Sequence, residues 1–242
     1  MRRMRIVFMR EMAQYFASPT AYIIAAGFLL VTGLLFNSDI AFSIGRRAVD
    51  PALIPSFLSF VMVFFAPLLT MRLLAEESRE GTLELLLTAP VRDSDIVLGK
   101  FFSAWFYYTI LLLTTAVYQF ILNSMNTRPD MAHTIGAYIG IWLYGGATLA
   151  VGLFFSALTD SQIVSAFLAM ATLLLLWLGD IAGQIIADLD WANLVRNLSL
   201  QGHYSTSFAV GLVRAEDIAY YAGVIVVMLF ITIKVVESRR WR

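Results

Sequence analysis

The sequence predicts an all-α polytopic membrane protein: six transmembrane helices, an N-terminal interfacial amphipathic helix, and a short helix on the cytoplasmic side after the second span. Three observations carry this. Of 242 residues, 60% are hydrophobic and only 14% are charged, against about 25% charged in soluble chains. The mean hydropathy is +0.77. The charges are also spaced so that charge-free runs remain at 12–38, 51–71, 101–127, 131–159, 161–179 and 218–233. A span needs about 20 mostly apolar residues. Five runs meet that length, and the sixth gains from Lys234, which can snorkel from a helix end to the interface. With 17 basic and 17 acidic residues, the chain has no excess charge to point to a nucleic-acid partner. The absence of cysteine excludes a disulfide framework and a thiolate metal site.

The expected elements follow in order. Residues 4–16 form a helix with Arg3, Arg10 and Gln14 on one side and Phe8, Met9, Met12, Tyr15 and Phe16 opposite, with Arg5 out of place. Such a helix lies in the headgroup plane; the alternative is that it simply prolongs the first span. Ser18-Pro19 turns the chain into the membrane. Spans are expected at 20–36, 55–74, 101–122, 134–158, 163–186 and 218–236, all within one transmembrane domain of residues 1–242. Twelve Lys and Arg residues fall in one set of loops and five in the other, which places both termini in the cytoplasm under the positive-inside rule. A multi-pass inner-membrane location, in contact with lipid, follows. The outward segment 187–217 mixes Trp191, Leu194, Leu198 and Phe208 with polar residues, a pattern suited to one or two short helices.

The most informative piece follows the second span. Seven charges (Arg72, Glu76, Glu77, Arg79, Glu80, Glu84 and Arg92) surround a leucine cluster. Gly81 lets the chain break from the span, Thr82 can start a short helix, and Pro90 ends it. Within it Leu83, Leu86 and Leu87 share a face, and Glu80 and Glu84 lie one turn apart on another. The residues alone leave two readings open: a docking element, or a solvated loop whose leucines touch lipid.

The string MRLLAEESREGTLELLLTAPVRDSDIVLGK resembles the coupling-helix region of permease subunits of type 2 ABC transporters, specifically the gliding-motility permease (GldF-like) family. The likeness extends over essentially the whole chain, through REMAQYFASPTAYI, RPDMAHTIGAYIGIWLYGGATLAVGLFFSALTDSQIVSAF and the basic tail ESRRWR. One departure is Asp160-Ser161-Gln162, where the family pattern has Asn-Gln. The resemblance implies a permease half that pairs with a second permease subunit, as a homodimer or heterodimer, and docks on a separate ATP-binding subunit. It implies that the coupling helix is Gly81, Thr82, Leu83, Glu84, Leu85, Leu86, Leu87 and Thr88, with Glu80 beside it and Glu76 and Glu77 at its hinge. Thr159, Asp160, Ser161 and Gln162 would be a second, smaller contact. ATP and Mg would sit on the partner, and this chain would bind no cofactor itself. The sequence agrees in one respect: it holds no phosphate-binding loop, since Gly99-Lys100 is followed by Phe101.

Smaller signals complete the reading. Gly136 and Gly140, four apart, allow close helix crossing, either inside the subunit or at a dimer seam. Asp180 and Gln184, one turn apart near the outer end of the fifth span, are candidates for a translocation path or for simple contact with the outer interface. His133 and His203 are isolated and make no metal site. An intramembrane enzyme would need paired catalytic groups at one depth, which this sequence does not offer. The competing function is a non-transporting membrane subunit that passes ATPase-driven force to an envelope complex.

Overall fold

A computed structural model describes residues 2–43, 52–82, 91–124, 130–186 and 188–239. Its helices are α1 (Arg2–Ala17), α2 (Pro19–Ser43), α3 (Leu53–Thr70), α4 (Ala75–Arg79), α5 (Asp93–Thr115), α6 (Val117–Ser124), α7 (Met131–Leu158), α8 (Gln162–Ile185), α9 (Leu189–Leu198), α10 (Leu200–Thr206) and α11 (Ala215–Arg239), with a 3-10 turn at Phe208–Val210. Among the described residues, six helical segments are long and apolar enough to cross a membrane, containing α2, α3, α5, α7, α8 and α11. The protein is all-α, with no strand among the described residues. Helices are the natural solution for such segments, because lipid offers no partner for a free backbone amide.

Four helices begin on short polar side chains that accept the orphan amides of the first turn. Asp130 caps α7, Ser161 caps α8, Asp188 caps α9 and Ser199 caps α10. α5 ends where Thr114 and Thr115 bond back to the carbonyls of Leu111 and Leu112. Such back-bonding bends helices, and the chain restarts as α6 one residue later.

α7 is the hub, packing against α3, α5, α8 and α11. Its most apolar window is 72% buried, whereas those of α2, α8 and α11 are 22% buried and form the outer surface. Against α5 it presents Trp142, stacked on Trp105 at 4.4 Å. The Tyr108 hydroxyl donates to the Ile141 carbonyl at 2.9 Å. The small-residue pair serves packing within the chain. A Cβ at Gly136 would lie 3.2 Å from the Gly211 carbonyl, and one at Gly140 would lie 2.3 Å from the Phe208 side chain. The 3-10 turn therefore plugs into α7 only because those positions carry no side chain.

The helix ends and connecting segments group at the two ends of the bundle. One end collects α1, the 71–82 segment, the start of α5, the α7–α8 turn and the end of α11. The other collects α9, α10 and the 3-10 turn. α1 ends at Ala17 and lies along α5 instead of prolonging α2. Its packed face differs from the expected one. Val7, Glu11 and Met12 are buried, while Ile6, Met9 and Phe16 are exposed. A wheel that sorts apolar from charged residues misses this, because the buried face contains an acid that has a partner.

Candidate functional site

The site starts from the turn that ends α3. Ser156, fully buried on α7, accepts hydrogen bonds from the amides of Leu74 at 3.0 Å and Ala75 at 3.1 Å, and donates to the Met71 carbonyl at 3.2 Å. One hydroxyl thus satisfies the backbone at the break between α3 and α4 and fixes where α4 leaves the bundle. Glu77 then projects toward α1 and α5, and Glu76 and Ser78 toward the α7–α8 turn.

Glu77 belongs to a buried ionic knot. Lys100 Nζ, on α5, lies 2.8 Å from Glu11 Oε1 and 3.0 Å from Glu77 Oε2, and the lysine side chain is 1% exposed. Arg10 closes the ring, at 2.8 Å from Glu11 and 2.5 Å from Glu77. Two cations and two carboxylates from α1, α4 and α5 sum to zero charge. Buried charges persist when they are paired in this way. α1 can approach closely because Gly99 precedes the lysine: a Cβ there would meet Val7 at 2.8 Å. Tyr15 completes the seam, stacking on Tyr107 at 4.8 Å and donating to the Leu69 carbonyl at 2.8 Å.

The other two side chains bind the α7–α8 turn. Glu76 takes a two-pronged bond from Arg72, at 2.8 and 3.1 Å, and is also bonded by Gln162. Arg72 reaches on to Thr20 at the start of α2. Ser78 donates to Asp160 Oδ1 at 2.5 Å, and Arg239, at the end of α11, donates to the same carboxylate oxygen at 2.7 Å. The bonds from Ser78 and Arg239 hold the Asp160 carboxyl below its ordinary range. Of the four turn residues, Asp160 and Gln162 thus touch α4 directly. Thr159 and Ser161 shape the turn itself: the Ser161 amide donates to the Thr159 hydroxyl, and Ser161 caps α8.

Glu80 is exposed at the end of α4, with its amide bonded to the Glu76 carbonyl at 2.9 Å. Gly81 adopts a φ of 70°, a left-handed conformation that glycine takes without strain. The Thr82 hydroxyl bonds the Glu77 carbonyl at 3.3 Å. Leu83, Glu84, Leu85, Leu86, Leu87 and Thr88 lie outside the described residues. At the opposite end, Asp180 sits 3.8 Å from Arg196 and accepts a bond from Ser205 at 3.4 Å, so it joins α8 to α9 and α10. The Gln184 side chain lies outside the described residues.

Sequence reasoning missed Lys100, Glu11, Arg10, Ser156 and Arg239 as members of this assembly. A signal existed for two of them. Lys100 stands flush against an aromatic run beginning at Phe101, and Glu11 lies four residues after Val7, on the same helical face.

Among curated proteins, no sequence matches the chain significantly. A family model described as "ABC-2 family transporter protein" matches residues 4–237, nearly the full length and all of the elements that build the knot. The chain therefore belongs to the ABC-2 transporter family, as the multi-pass permease component of an ABC transporter whose ATPase site lies in a partner subunit.

Proposed function

We propose that this permease is one half of an exporter of the gliding-motility type, driven by an ATP-binding subunit that docks on the coupling helix at residues 81–88 with Glu80 beside it, hinged at Glu76 and Glu77, and, more lightly, on residues 159–162. The carrying observation is the ionic knot with its neighbouring Ser78–Asp160–Arg239 cluster. Together they tie the segment that leads into residues 83–88 to α1, α5, the α7–α8 turn and α11. A push on that segment is shared by elements that continue into four of the candidate spans, as transmission from an outside motor requires.

In this reading both termini face the cytoplasm of a cell with this chain in its inner membrane, and a second permease subunit, identical or related, completes the path. ATP and Mg sit on the ATPase partner. Closure of two ATPase subunits rocks the permease halves, and Asp180 and Gln184 lie toward the outward end of the path. ATP moves the permease only to the extent that the docked interface binds its two states differently.

The test is capture of the ATP-binding subunit by detergent-solubilised permease, wild type beside Leu86→Asp. Capture by wild type and its loss in the variant, with an unchanged melting temperature, is the expected result. Equal capture by both removes residues 83–88 from the docking surface. Stimulation of the partner's ATPase by cargo in vesicles separates transport from pure force transmission.

A further inference from the structure

At the end of the bundle opposite the knot, α3, α8 and α10 enclose a groove of about 490 Å³, within the range of small-molecule sites. Its walls are Leu53, Phe57 and Phe60 from α3 and Trp177 from α8, with Ser56 and Gln201 at its polar edge. Phe60 and Trp177 pack at 5.0 Å between ring centroids, while Phe57 and Phe60 remain partly exposed, so the groove opens sideways. No charged side chain lines it among the described residues. Asp180, one turn from Trp177, is occupied with Arg196 and Ser205.

Two of the lining side chains carry buried polar atoms that have no hydrogen-bond partner among the described residues: Trp177 Nε1 and Gln201 Oε1. The indole nitrogen can only donate and the amide oxygen can only accept. Buried polar groups are almost always paired, and each exception calls for a cause. Here a donor and an acceptor are both unmet beside three aromatic rings. An inorganic ion would find no counter-charge, and an acyl chain would leave both atoms unpaired.

We infer that this groove is a binding site for a neutral, ring-bearing amphiphile that carries both an acceptor and a donor, such as a phenol or an aromatic amide. The ring lies among Phe57, Phe60 and Trp177, the acceptor takes the indole N–H, and the donor meets Gln201. The inference deepens the transport reading by naming a cargo class, and it rests on that reading only for that last step.

The test is equilibrium dialysis of radiolabelled 1-naphthol, and separately 1-methoxynaphthalene, against permease in nanodiscs without the ATPase subunit, with empty discs subtracted. Saturable binding of 1-naphthol is expected. Gln201→Leu should weaken it about 5–10-fold, the loss of one hydrogen bond, and leave 1-methoxynaphthalene, which has no hydrogen to donate, unchanged. Trp177→Phe should weaken both probes, and Ser56→Trp, which fills the groove, should abolish both. Uptake that never saturates, or that ignores all three variants in protein of wild-type melting temperature, overturns the site. So does efficient disulfide formation between two Phe57→Cys copies in protein that binds no probe, because a second copy would then cover the groove. Intact 1-naphthol binding together with failed ATPase capture would sink the transport reading and leave the site standing.

Discussion

Replacing Lys100 with methionine keeps an unbranched stem of similar length and removes only the ammonium. Glu11 and Glu77 then remain with Arg10 alone, and the knot changes from neutral to one net negative charge. Glu11 is 3% exposed and Lys100 1%, so water cannot replace the lost cation. Breaking a buried pair on one side costs about 3–5 kcal/mol. The lower value fits here, because Arg10 still reaches both carboxylates at 2.8 and 2.5 Å. At about 2–4 °C per kcal/mol for a domain of this size, the melting temperature should fall by about 6–12 °C. The double variant Lys100→Met/Glu11→Gln restores neutrality, leaving Arg10 with Glu77, and should recover most of that loss. The five tryptophans report the transition by intrinsic fluorescence in nanodiscs. A single variant as stable as wild type, or a double variant worse than the single, would refute the claim that charge balance holds α1 in place.

Three further outcomes follow from other parts of the structure. Gly140→Ala puts a methyl group 2.3 Å from Phe208 and should cost about 1–3 kcal/mol by overpacking, whereas Gly223→Ala, with open space around it, should be neutral or stabilising; equal melting temperatures for the two would contradict the packing. Because the Asp160 carboxyl is held low by Ser78 and Arg239, its tie to α11 is complete above the unfolded value of about 3.9 and is lost as pH falls through the lower folded value. For so exposed a pair the tie is worth about 1 kcal/mol or less. Amide exchange at the end of α11 should therefore be up to about 5-fold faster in Asp160→Asn at pH 7, and no difference there would dismiss it. Topology is tested with cysteines at Thr206 and Arg79, both exposed and at opposite ends of the bundle. An impermeant thiol reagent added outside should label the first and spare the second, and the reverse pattern would invert the orientation.

The spans were legible because a charge in lipid is costly, so charge-free runs mark where the chain crosses. The same rule set some helix ends wrongly. α5 begins at Asp93, eight residues before the charge-free run, because Lys100 is buried yet paired and so interrupts nothing. α2 likewise runs on through Asp39 to Ser43, past the expected end at residue 36. The resemblance marked Glu76, Glu77 and the α7–α8 turn as two separate contacts, whereas the bonds from Gln162 to Glu76 and from Ser78 to Asp160, which join them, are visible only in the fold. Nothing local could reveal the Glu11–Lys100 pair, whose members are 89 residues apart in sequence. Their meeting depends on α1 folding back along α5. The unpaired atoms of Trp177 and Gln201 were equally hidden, since a lack of partners becomes visible only once every neighbour is placed.

The distance between Glu11 and its cation also bears on how the protein is made. Translation proceeds at about 5–20 residues per second, so Lys100 leaves the ribosome roughly 5–20 s after Glu11, with two spans inserted between them. Throughout that interval α1 has no groove to occupy. Its outward Ile6, Met9 and Phe16 give it a foothold on the bilayer surface, where the helix can wait with its acid unspent until α5 arrives. α1 is thus made before α5 but locked only after it, and a nascent chain arrested before residue 100 should carry it loosely on the membrane, open to exchange and to protease.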